Sequence, residues 1–483
     1  MKINIRILSI ALICALCNVT TAQTLKIAGK KIDSIFSSYN SHTPGVAVAI
    51  VQNGKVVFKK GYGMADLSHN IAITPQTVFN IASVSKQFTA FAVYLLEGER
   101  RLSFEDDVRK YIPELPDYGT VIKIKHLLGH TNGLRDHGAL GSVAGGYVNV
   151  DKSSTAQNLK LLSKQHGLNF IPGTAFGYSN SNYTLLAEIV HRVSGKTFAE
   201  YTHEKIFIPL GMKNTQFSDN HQTVVKNKAE SYELEHNKYI IKPLMESNPG
   251  PSNLLTTVED LSKWVLNFES PIVGTTQLIK AFNEPSYLDN GKKVVFRIGD
   301  GDTIFYAKGQ NVSKFKGNYR GHGGHTAGFR SFLGRFPDHH LAIIHLSNDE
   351  DNERLGGRWD IADYFIKDQP VKDQPASVSI PTNTPAIAQT ENYHVDLNDF
   401  TGKYYNDELE TRYHIVVHDD KLILKHIRLY DIALKRTGEN KFSGSGPDTF
   451  FFEIEFLKNE TGKVDAFDIS NFGVKNLKFV KQV

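Results

Sequence analysis

Two predicted β-hairpins, one near each end of the first 366 residues, constrain the fold of this chain more than any other feature. Residues 46–51 and 56–58 are apolar and flank Asn53-Gly54, a dipeptide that favours the left-handed backbone of a tight hairpin turn. Residues 329–336 and 341–346 are a second pair of strand-like runs, separated by a short loop. A sheet that contains both hairpins must draw its strands from both ends of this region.

The segment between the hairpins, from about Thr77 to Asn267, has mostly helical apolar spacing. Loops such as the one around Pro172 and Gly173 interrupt it. The sequence therefore predicts an α/β (α+β) fold, in which an antiparallel sheet is flanked by helices and joined to a mostly helical subdomain.

A linker with a distinct composition follows this region. Residues 367–390 repeat Lys-Asp-Gln-Pro and continue with further prolines, serines and threonines, which is typical of an exposed linker. Beyond it, apolar and polar residues alternate on both sides of Asp419-Asp420, which indicates another hairpin. We expect one globular domain over residues 23–366, the linker over 367–390, and a small all-β domain over 391–483.

The first 22 residues have the layout of a secretory signal peptide. Lys2 and Arg6 precede an apolar run that ends at Cys17, and small residues then precede Gln23. A membrane anchor is the alternative, but eleven apolar residues are too short to span a ~30 Å hydrocarbon core. A lipoprotein site fits poorly, because Cys14 and Cys17 follow isoleucine and leucine. We expect an exported protein, periplasmic or secreted, without a stable membrane span after cleavage.

Composition narrows the classes of partner. Hydrophobic residues make up 40% and charged residues 22% of the chain, as in folded globular proteins. There are 55 Lys and Arg residues against 51 Asp and Glu residues, and no basic stripe, so a nucleic-acid partner is not expected. Both cysteines lie within the predicted signal peptide, so we expect neither disulfides nor thiol chemistry in the mature protein.

A Ser-x-x-Lys motif supplies a candidate nucleophile. Ser83 and Lys86 open a segment with helical apolar spacing, so they should share one helix face. A hydroxyl becomes nucleophilic when a neighbouring base takes its proton, and a desolvated lysine can be that base at neutral pH. Alone, the motif is a weak signal that occurs by chance, and it favours a serine helix cap beside a surface lysine.

Two further motifs follow in chain order. Tyr178-Ser179-Asn180 precedes a helical stripe that ends near Gly195. His322-Gly323-Gly324-His325 comes later, and its glycines leave room for close approach to the backbone of a strand.

With this order and these intervals, Ser83/Lys86, Tyr178/Asn180 and His322/Gly324 resemble the S-x-x-K, Y-x-N and K/H-x-G motifs of the serine β-lactamase and DD-peptidase superfamily. The resemblance is to the branch with class C β-lactamases, DD-carboxypeptidases, D-aminopeptidases and related esterases, and it implies a β-lactamase/DD-peptidase-like fold. The tail is similar to the small β-barrel domain that often follows such hydrolases. Family-like stretches lie within about residues 24–366, at 44–51, 79–89, 126–134, 209–215, 254–264 and 321–336.

The resemblance implies acyl transfer in two steps. Ser83 would attack a carbonyl and become the acyl-enzyme. Lys86 and Tyr178 would transfer protons, and either could be the base in acylation. Asn180 would bind the substrate amide and orient Lys86, while the backbone N–H groups of Ser83 and His325 would form the oxyanion hole.

His322 stands where most β-lactamases of this family have lysine. A histidine is about half protonated only near its reference pKa of ~6.5, so it is not a fixed positive charge for a substrate carboxylate. Efficient β-lactam hydrolysis is therefore not expected. We expect a serine hydrolase that acts on D-amino-acid peptides or amides, including peptidoglycan-derived ones, or on small esters.

Three alternatives remain. A β-lactamase and a catalytically silent protein that binds peptidoglycan share the same motifs. A metalloenzyme is disfavoured, because the His-x-x-His stretch is predicted as a strand and contains no glutamate. No metal or other cofactor is needed for the predicted reaction.

Overall fold

The computed structural model describes residues 27–146, 151–299, 302–351, 357–366, 396–446 and 451–482. The predicted signal peptide and the predicted linker both lie outside these residues, so the proposed domain limits stay predictions. Within the described ranges, no helix is both long and apolar enough to cross a membrane.

The helices, in chain order, are α1 (27–35), α2 (Ser85–Gly98), α3 (Ile124–Leu128), α4 (His137–Val143), α5 (Thr155–Ser163), α6 (Asn180–Ser194), α7 (Phe198–Thr202), α8 (Val258–Leu266), α9 (Thr276–Asn283) and α10 (Gly357–Phe365). The strands are β1 (Val46–Gln52), β2 (Lys55–Tyr62), β3 (Met64–Asp66), β4 (Ile71–Ala72), β5 (Phe79–Asn80), β6 (Ser153–Ser154), β7 (Gln216–Phe217), β8 (Tyr232–Glu235), β9 (Lys238–Ile241), β10 (Glu246–Ser247), β11 (Leu254–Thr256), β12 (Val295–Gly299), β13 (Asp302–Ala307), β14 (Gln310–Ser313), β15 (Tyr319–Thr326), β16 (Phe329–Phe336), β17 (Leu341–Ser347), β18 (Gly402–Asn406), β19 (Thr411–His418), β20 (Lys421–His426), β21 (Leu429–Ala433), β22 (Lys435–Arg436), β23 (Lys441–Ser445), β24 (Phe451–Lys458), β25 (Val464–Ser470) and β26 (Leu477–Lys481).

A large antiparallel sheet takes its strands from both ends of the first region, as predicted. Its order is β12-β13-β14-β15-β16-β17-β1-β2. Both predicted hairpins are confirmed, because β1 pairs with β2 and β16 pairs with β17. Asn53 has a φ of 51° in the first turn, in the left-handed region that the turn requires.

Both faces of this sheet are covered by helices, which explains why residues 46–51 of β1 are all apolar instead of alternating with polar residues. Val46, Val48 and Ile50 pack with the outer helices α1 and α10, whereas alternate residues such as Ala47 and Ala49 join the core on the other face. The side-chain period of two along a strand assigns the two sets to opposite faces.

The predicted helical section is confirmed over α2 to α8, with short strands between its helices that the sequence pattern did not indicate. Helix α2 packs against α6, and the turn before α2 packs against β15 and β16. The start of α2 therefore lies where the helical section meets the large sheet.

The C-terminal residues form a nine-stranded sheet in the order β21-β20-β19-β18-β26-β25-β24-β23-β22. Its first and last strands, β21 and β22, are separated in the chain only by Leu434, so the sheet curls back on itself and is nearly closed. The predicted hairpin around Asp419-Asp420 is β19-β20. The barrel-like tail is thus confirmed.

His345 lies on β17 and is buried on the face of the large sheet that α1 and α10 cover. Its ring centroid is 5.4 Å from that of Phe36. Among the described residues, neither ring nitrogen of His345 has a hydrogen-bond partner. Burial, reinforced by the charge of Arg358, lowers its pKa to about 3. The unfolded chain therefore binds a proton that the folded state excludes, so stability falls as pH drops below ~6.5.

Replacing His345 with leucine should remove this loss. We expect the free energy of unfolding of His345→Leu, relative to that of the parent, to be higher at pH 5 than at pH 7 by about 2 kcal/mol. Urea unfolding at both pH values measures the difference. The exposed His414→Leu is the control, and an identical pH dependence in parent and His345→Leu would contradict the assignment.

Candidate active site

Ser83 lies in a strained turn that leads into α2. Residues Ala82–Val84 form one 3-10 turn, and Ala82 has a left-handed φ of 46°. Such a conformation persists only where the surrounding structure imposes it. Here Ala82 N donates to Asn80 Oδ1 (2.8 Å), and Ser331 Oγ donates to the Ile81 carbonyl (2.7 Å). The turn presents the Ser83 hydroxyl, half-buried, just before the helix.

Ser85 is the second serine of the motif, and it has a different environment. It is fully buried, and its Oγ accepts a hydrogen bond from Leu254 N at 3.1 Å. This contact joins α2 to β11, which is a structural role.

Lys86 is fully buried one helical turn beyond Ser83. Its Nζ donates to Ser83 Oγ (3.0 Å), Asn180 Oδ1 (2.8 Å) and the Pro251 carbonyl (2.9 Å). Burial lowers the pKa of Lys86 to about 7, and the negative charges of Asp136 and Glu246 oppose that shift. A neutral amine is therefore accessible at physiological pH.

Tyr178 approaches Ser83 from the other side. Its hydroxyl donates to Ser83 Oγ at 3.1 Å, and its ring centroid lies 4.9 Å from Lys86 Nζ. Burial raises the pKa of Tyr178 well above its usual value. Tyr178 is consequently a protonated phenol at neutral pH, able to donate a proton but costly to ionise.

His130 fixes the loop beneath Tyr178. It is fully buried, its Nδ1 accepts from Asn182 Nδ2 (2.8 Å), and its Nε2 bonds the hydroxyl of Tyr306 (2.9 Å). Burial holds its pKa well below the usual value, so the ring is neutral. His130 is thus a structural residue, and its ring centroid lies 4.4 Å from that of Tyr178.

Asn180 is the first residue of α6 and connects Lys86 to Asp136. Its side chain accepts from Lys86, and its backbone N–H donates to Asp136 Oδ2 at 2.6 Å. The other oxygen of Asp136 accepts from Ala139 N at 2.9 Å and caps α4. One carboxylate therefore holds the beginnings of two helices beside the lysine.

His322 and Gly324 lie on β15, the strand that faces the Ser83 turn. A Cβ at Gly324 would lie 2.4 Å from the Ile81 carbonyl oxygen, so only glycine permits this approach. The side chain of His322 is buried, its Nδ1 bonds the Gly323 carbonyl, and its Nε2 has no hydrogen-bond partner in the described part of the chain. Burial and the nearby charge of Lys86 lower the pKa of His322 to about 4, so the ring is neutral at pH 7.

His325 projects its side chain away from this arrangement. That side chain is 59% exposed, and its Nε2 lies 4.0 Å from Glu350 Oε1. Since residues three apart on a strand point to opposite faces, His322 and His325 cannot share an ion. No group of three or more His, Cys, Asp or Glu residues suited to a metal occurs among the described residues.

Three groups at the site were absent from the sequence prediction. They are Asp136, the carbonyl of Pro251, and Glu246, whose pKa burial raises to about 7. For Asp136 a local signal exists, because Asp is a favoured N-cap residue before a helix. A backbone carbonyl has no sequence signal, since it is brought to Lys86 from 165 residues away.

Comparisons with known proteins find similarity over most of this chain. A family model described as Beta-lactamase matches residues 32–364. Penicillin-binding protein 4* of Bacillus subtilis (strain 168) is 28% identical over 373 residues, which cover 72% of this chain and 78% of that protein. Protein flp of Staphylococcus aureus (strain MRSA252) is 29% identical over 332 residues, covering 66% of this chain but less than two thirds of flp, 62%.

Solved structures extend the similarity to the tail. An octameric penicillin-binding protein homologue from Pyrococcus abyssi superposes with a TM-score of 0.63 at 22% identity, covering 94% of this chain and 99% of that one. At this identity the match concerns the fold alone. It spans both the large sheet with its helices and the C-terminal sheet.

Proposed function

Because this chain belongs to the Beta-lactamase family of serine hydrolases, we propose that it hydrolyses uncharged carboxylic esters and D-amino-acid amides through an acyl-enzyme on Ser83. The observation that carries the proposal is the position of Ser83 Oγ, 3.0 Å from Lys86 Nζ and 3.1 Å from the hydroxyl of Tyr178. One hydroxyl thus has a proton acceptor and a proton donor within reach.

In acylation, Ser83 Oγ forms a bond to the substrate carbonyl carbon and loses its proton to neutral Lys86. The bond from that carbon to the leaving group then breaks. The leaving group takes a proton from the hydroxyl of Tyr178, and Lys86 returns one to Tyr178. In deacylation, water attacks the ester of Ser83, the acid product departs, and the proton returns to Ser83 Oγ.

The two pKa directions favour Lys86 over Tyr178 as the acylation base. Burial brings the pKa of Lys86 down to about 7, so a large fraction is neutral at pH 7. Burial moves the pKa of Tyr178 in the opposite sense, which disfavours the phenolate. We therefore assign the base to Lys86 and the donor to Tyr178, and expect kcat/KM to rise with pH through about 7.

The carbonyl oxygen of the substrate becomes negative as Ser83 attacks. The proposed stabilising donors are the backbone N–H groups of Ser83 and His325, which belong to the turn before α2 and to β15. The close approach of β15 to this turn at Gly324 supports the pairing. Preorganised backbone donors of this kind are worth roughly 10²–10³ in kcat each.

Neutral His322 supports a substrate without a carboxylate next to the scissile bond. Its pKa of about 4 leaves it uncharged at neutral pH, a lower value than the ~6.5 of an exposed histidine. Because Nδ1 donates to the Gly323 carbonyl, Nε2 of the neutral ring is an acceptor. It can accept a hydrogen bond from a substrate N–H, but it supplies no fixed charge. The proposed substrates are therefore small molecules or peptides whose recognition is by hydrogen bonds and shape.

The N-terminal layout around Lys2 and Arg6 supports export, with the substrates then being acyl compounds of the cell envelope or its surroundings, including peptidoglycan-derived peptides. No nucleic acid takes part in the proposed function.

The charge preference has a direct test with matched substrates. Benzylpenicillin and its methyl ester differ only in the carboxylate, and p-nitrophenyl butyrate is a neutral reference ester. We expect rapid butyrate hydrolysis and a kcat/KM for the methyl ester at least equal to that for the free acid. His322→Lys should raise the relative preference for the free acid about tenfold or more, because a charge pair at ~4 Å exceeds the 1.4 kcal/mol that tenfold requires.

Two results would count against the proposal. A parent protein that prefers the free acid by a large factor would indicate carboxylate recognition, as in a β-lactamase or DD-carboxypeptidase. A protein inactive on all three substrates and on D-alanine p-nitroanilide would favour the silent, ligand-binding alternative.

A further inference from the structure

The C-terminal sheet docks on the part of the helical section that begins at Arg135. Tyr413 Oη donates to the Val143 carbonyl at 2.8 Å at the end of α4. Arg428 pairs with Asp151 at 2.7 Å, and a Cβ at Gly145 would collide with the ring of His426. These contacts place the sheet against the C-terminal end of α4, the helix that Asp136 caps.

A buried ion pair anchors this interface. Arg135 Nη1 lies 2.7 Å from Glu408 Oε2, and the two side chains are only 5% and 7% exposed. The same carboxylate oxygen accepts from His166 N at 2.8 Å. Arg135 Nη2 also donates to the carbonyls of Lys475 (3.3 Å) and Asn476 (3.4 Å). The loop between β25 and β26, residues 471–476, is thereby fixed beside Asp136.

Within that loop, Gly473 touches Asp136 directly. The Gly473 carbonyl accepts from Asp136 N (2.9 Å) and from Asn169 Nδ2 (3.0 Å). A Cβ at Gly473 would lie 2.7 Å from the Cβ of Asp136 and 2.8 Å from that of Ala139. The φ of Gly473 lies outside the left-handed region, so glycine is needed here for the contact and not for the turn.

A continuous chain of hydrogen bonds leads from this loop to the nucleophile. Gly473 holds the backbone of Asp136, whose carboxylate accepts from Asn180 N. The side chain of Asn180 accepts from Lys86, and Lys86 reaches Ser83. Asp136 also acts on Lys86 through its charge, which favours the protonated amine.

Aromatic rings in mutual contact pack the interior of the C-terminal sheet, with centroid separations of 4.5 Å for Phe400–Phe456 and 4.9 Å for Phe467–Phe479. The sheet therefore has a core of its own, and contacts such as Tyr413 with Val143 connect it to the helical section.

We propose that the C-terminal sheet is part of the catalytic apparatus: its 471–476 loop positions Asp136, and Asp136 positions Asn180 and Lys86 for attack by Ser83. This inference rests on the proposed function of Ser83. Asp136 is a positioning residue in this scheme, since it acts on the reaction through Asn180 and Lys86.

Gly473→Ala tests the loop without altering any residue of the reaction. The added methyl group must displace Asp136. We expect kcat/KM for p-nitrophenyl butyrate to fall by about 10- to 100-fold, because sub-ångström positioning carries large rate factors. The limb of the pH profile that reports Lys86 should also move to lower pH, as the supporting charge of Asp136 recedes. Gly438→Ala, whose Cβ meets only Lys441, is the matched control.

A second variant covers the case in which Gly473→Ala does not fold. Asn169→Ala removes the anchors at the Gly473 carbonyl and at Lys475 N without adding volume. Like Gly473→Ala, it should lower kcat/KM and move the limb of the pH profile that reports Lys86 to lower pH. A rate and a pH profile equal to the parent in a folded variant would overturn the inference, because a purely structural loop would change thermal unfolding alone.

A fluorophosphonate probe separates this test from that of the proposed function. A parent protein that is labelled at Ser83 but does not hydrolyse the ester contradicts only the proposed function, and labelling rates at several pH values still decide the role of the loop. Parent protein that is neither labelled nor hydrolytic overturns both.

Discussion

Ser83→Ala is expected to lower kcat/KM for p-nitrophenyl butyrate by roughly 10⁴-fold or more, because removal of a covalent nucleophile eliminates the acyl-enzyme route. The substitution deletes one oxygen from a half-buried position, so the fold should survive. Lys86 Nζ and the hydroxyl of Tyr178 both lose Ser83 Oγ as acceptor, but Lys86 keeps Asn180 and Pro251 as partners. Steady-state kinetics measures the loss of activity, and thermal unfolding measures whether the fold survives.

Ser85→Ala is the matched control, two residues away in the same motif. It leaves the buried Leu254 N–H without its acceptor, which should cost about 1–3 kcal/mol of stability. Its kcat/KM should stay within a few-fold of the parent. The reverse pattern, with Ser85 essential and Ser83 dispensable, would refute the assignment of the nucleophile.

Glu408→Gln is expected to lower the free energy of unfolding by about 3–5 kcal/mol, because it leaves the buried guanidinium of Arg135 without its charge partner. The pair is 2.7 Å apart and both side chains are almost fully buried. Glutamine preserves the volume of the side chain, so lost packing contributes little. Urea unfolding, followed by tryptophan fluorescence and circular dichroism, measures the loss.

Glu410→Gln provides the comparison on the same interface. Glu410 pairs with Lys164 at the surface, with side chains 65% and 32% exposed, and such exposed pairs contribute little to stability because solvent screens them. A loss for Glu408→Gln no larger than that for Glu410→Gln would show that the buried pair does not anchor the C-terminal sheet.

The sequence was sufficient where local chemistry decides the structure. Asn53-Gly54 specifies a left-handed turn whatever surrounds it, and the first hairpin forms there. Motif spacing also predicted the reacting groups, because it reflects local helix geometry. Ser83 and Lys86 are one helical turn apart, and α6 begins at Asn180. Residues predicted on three separate segments are accordingly brought together at one site.

The sequence was insufficient where burial decides the chemistry. His322 differs from an ordinary histidine only because β15 buries it near Lys86, which lowers its pKa to about 4. The sequence motif predicts the residue but not its protonation state. The start of the catalytic helix also differs from the prediction. Ser83 and Lys86 were expected on one helix, but Ser83 lies in a 3-10 turn and α2 begins at Ser85.

The long-range contacts also could not be predicted from the sequence. Arg135 and Asp136 have the composition of a surface pair, yet one is buried against Glu408 and the other bonds the backbone of Gly473, more than 270 residues away. No periodicity links such positions, because the contacts form only where the C-terminal sheet meets the helical section. The link from the C-terminal sheet to Lys86 therefore follows from the structure alone.

A covalent acyl-enzyme on Ser83 can be detected by the intact mass of the protein, quenched in acid during turnover of p-nitrophenyl butyrate. We expect a mass increase of one butyryl group, located by peptide mapping to the segment with Ser83 and absent from Ser83→Ala. A butyryl adduct that persists in Ser83→Ala, or rapid hydrolysis by the parent with no adduct on that segment at any quench time, would contradict the account.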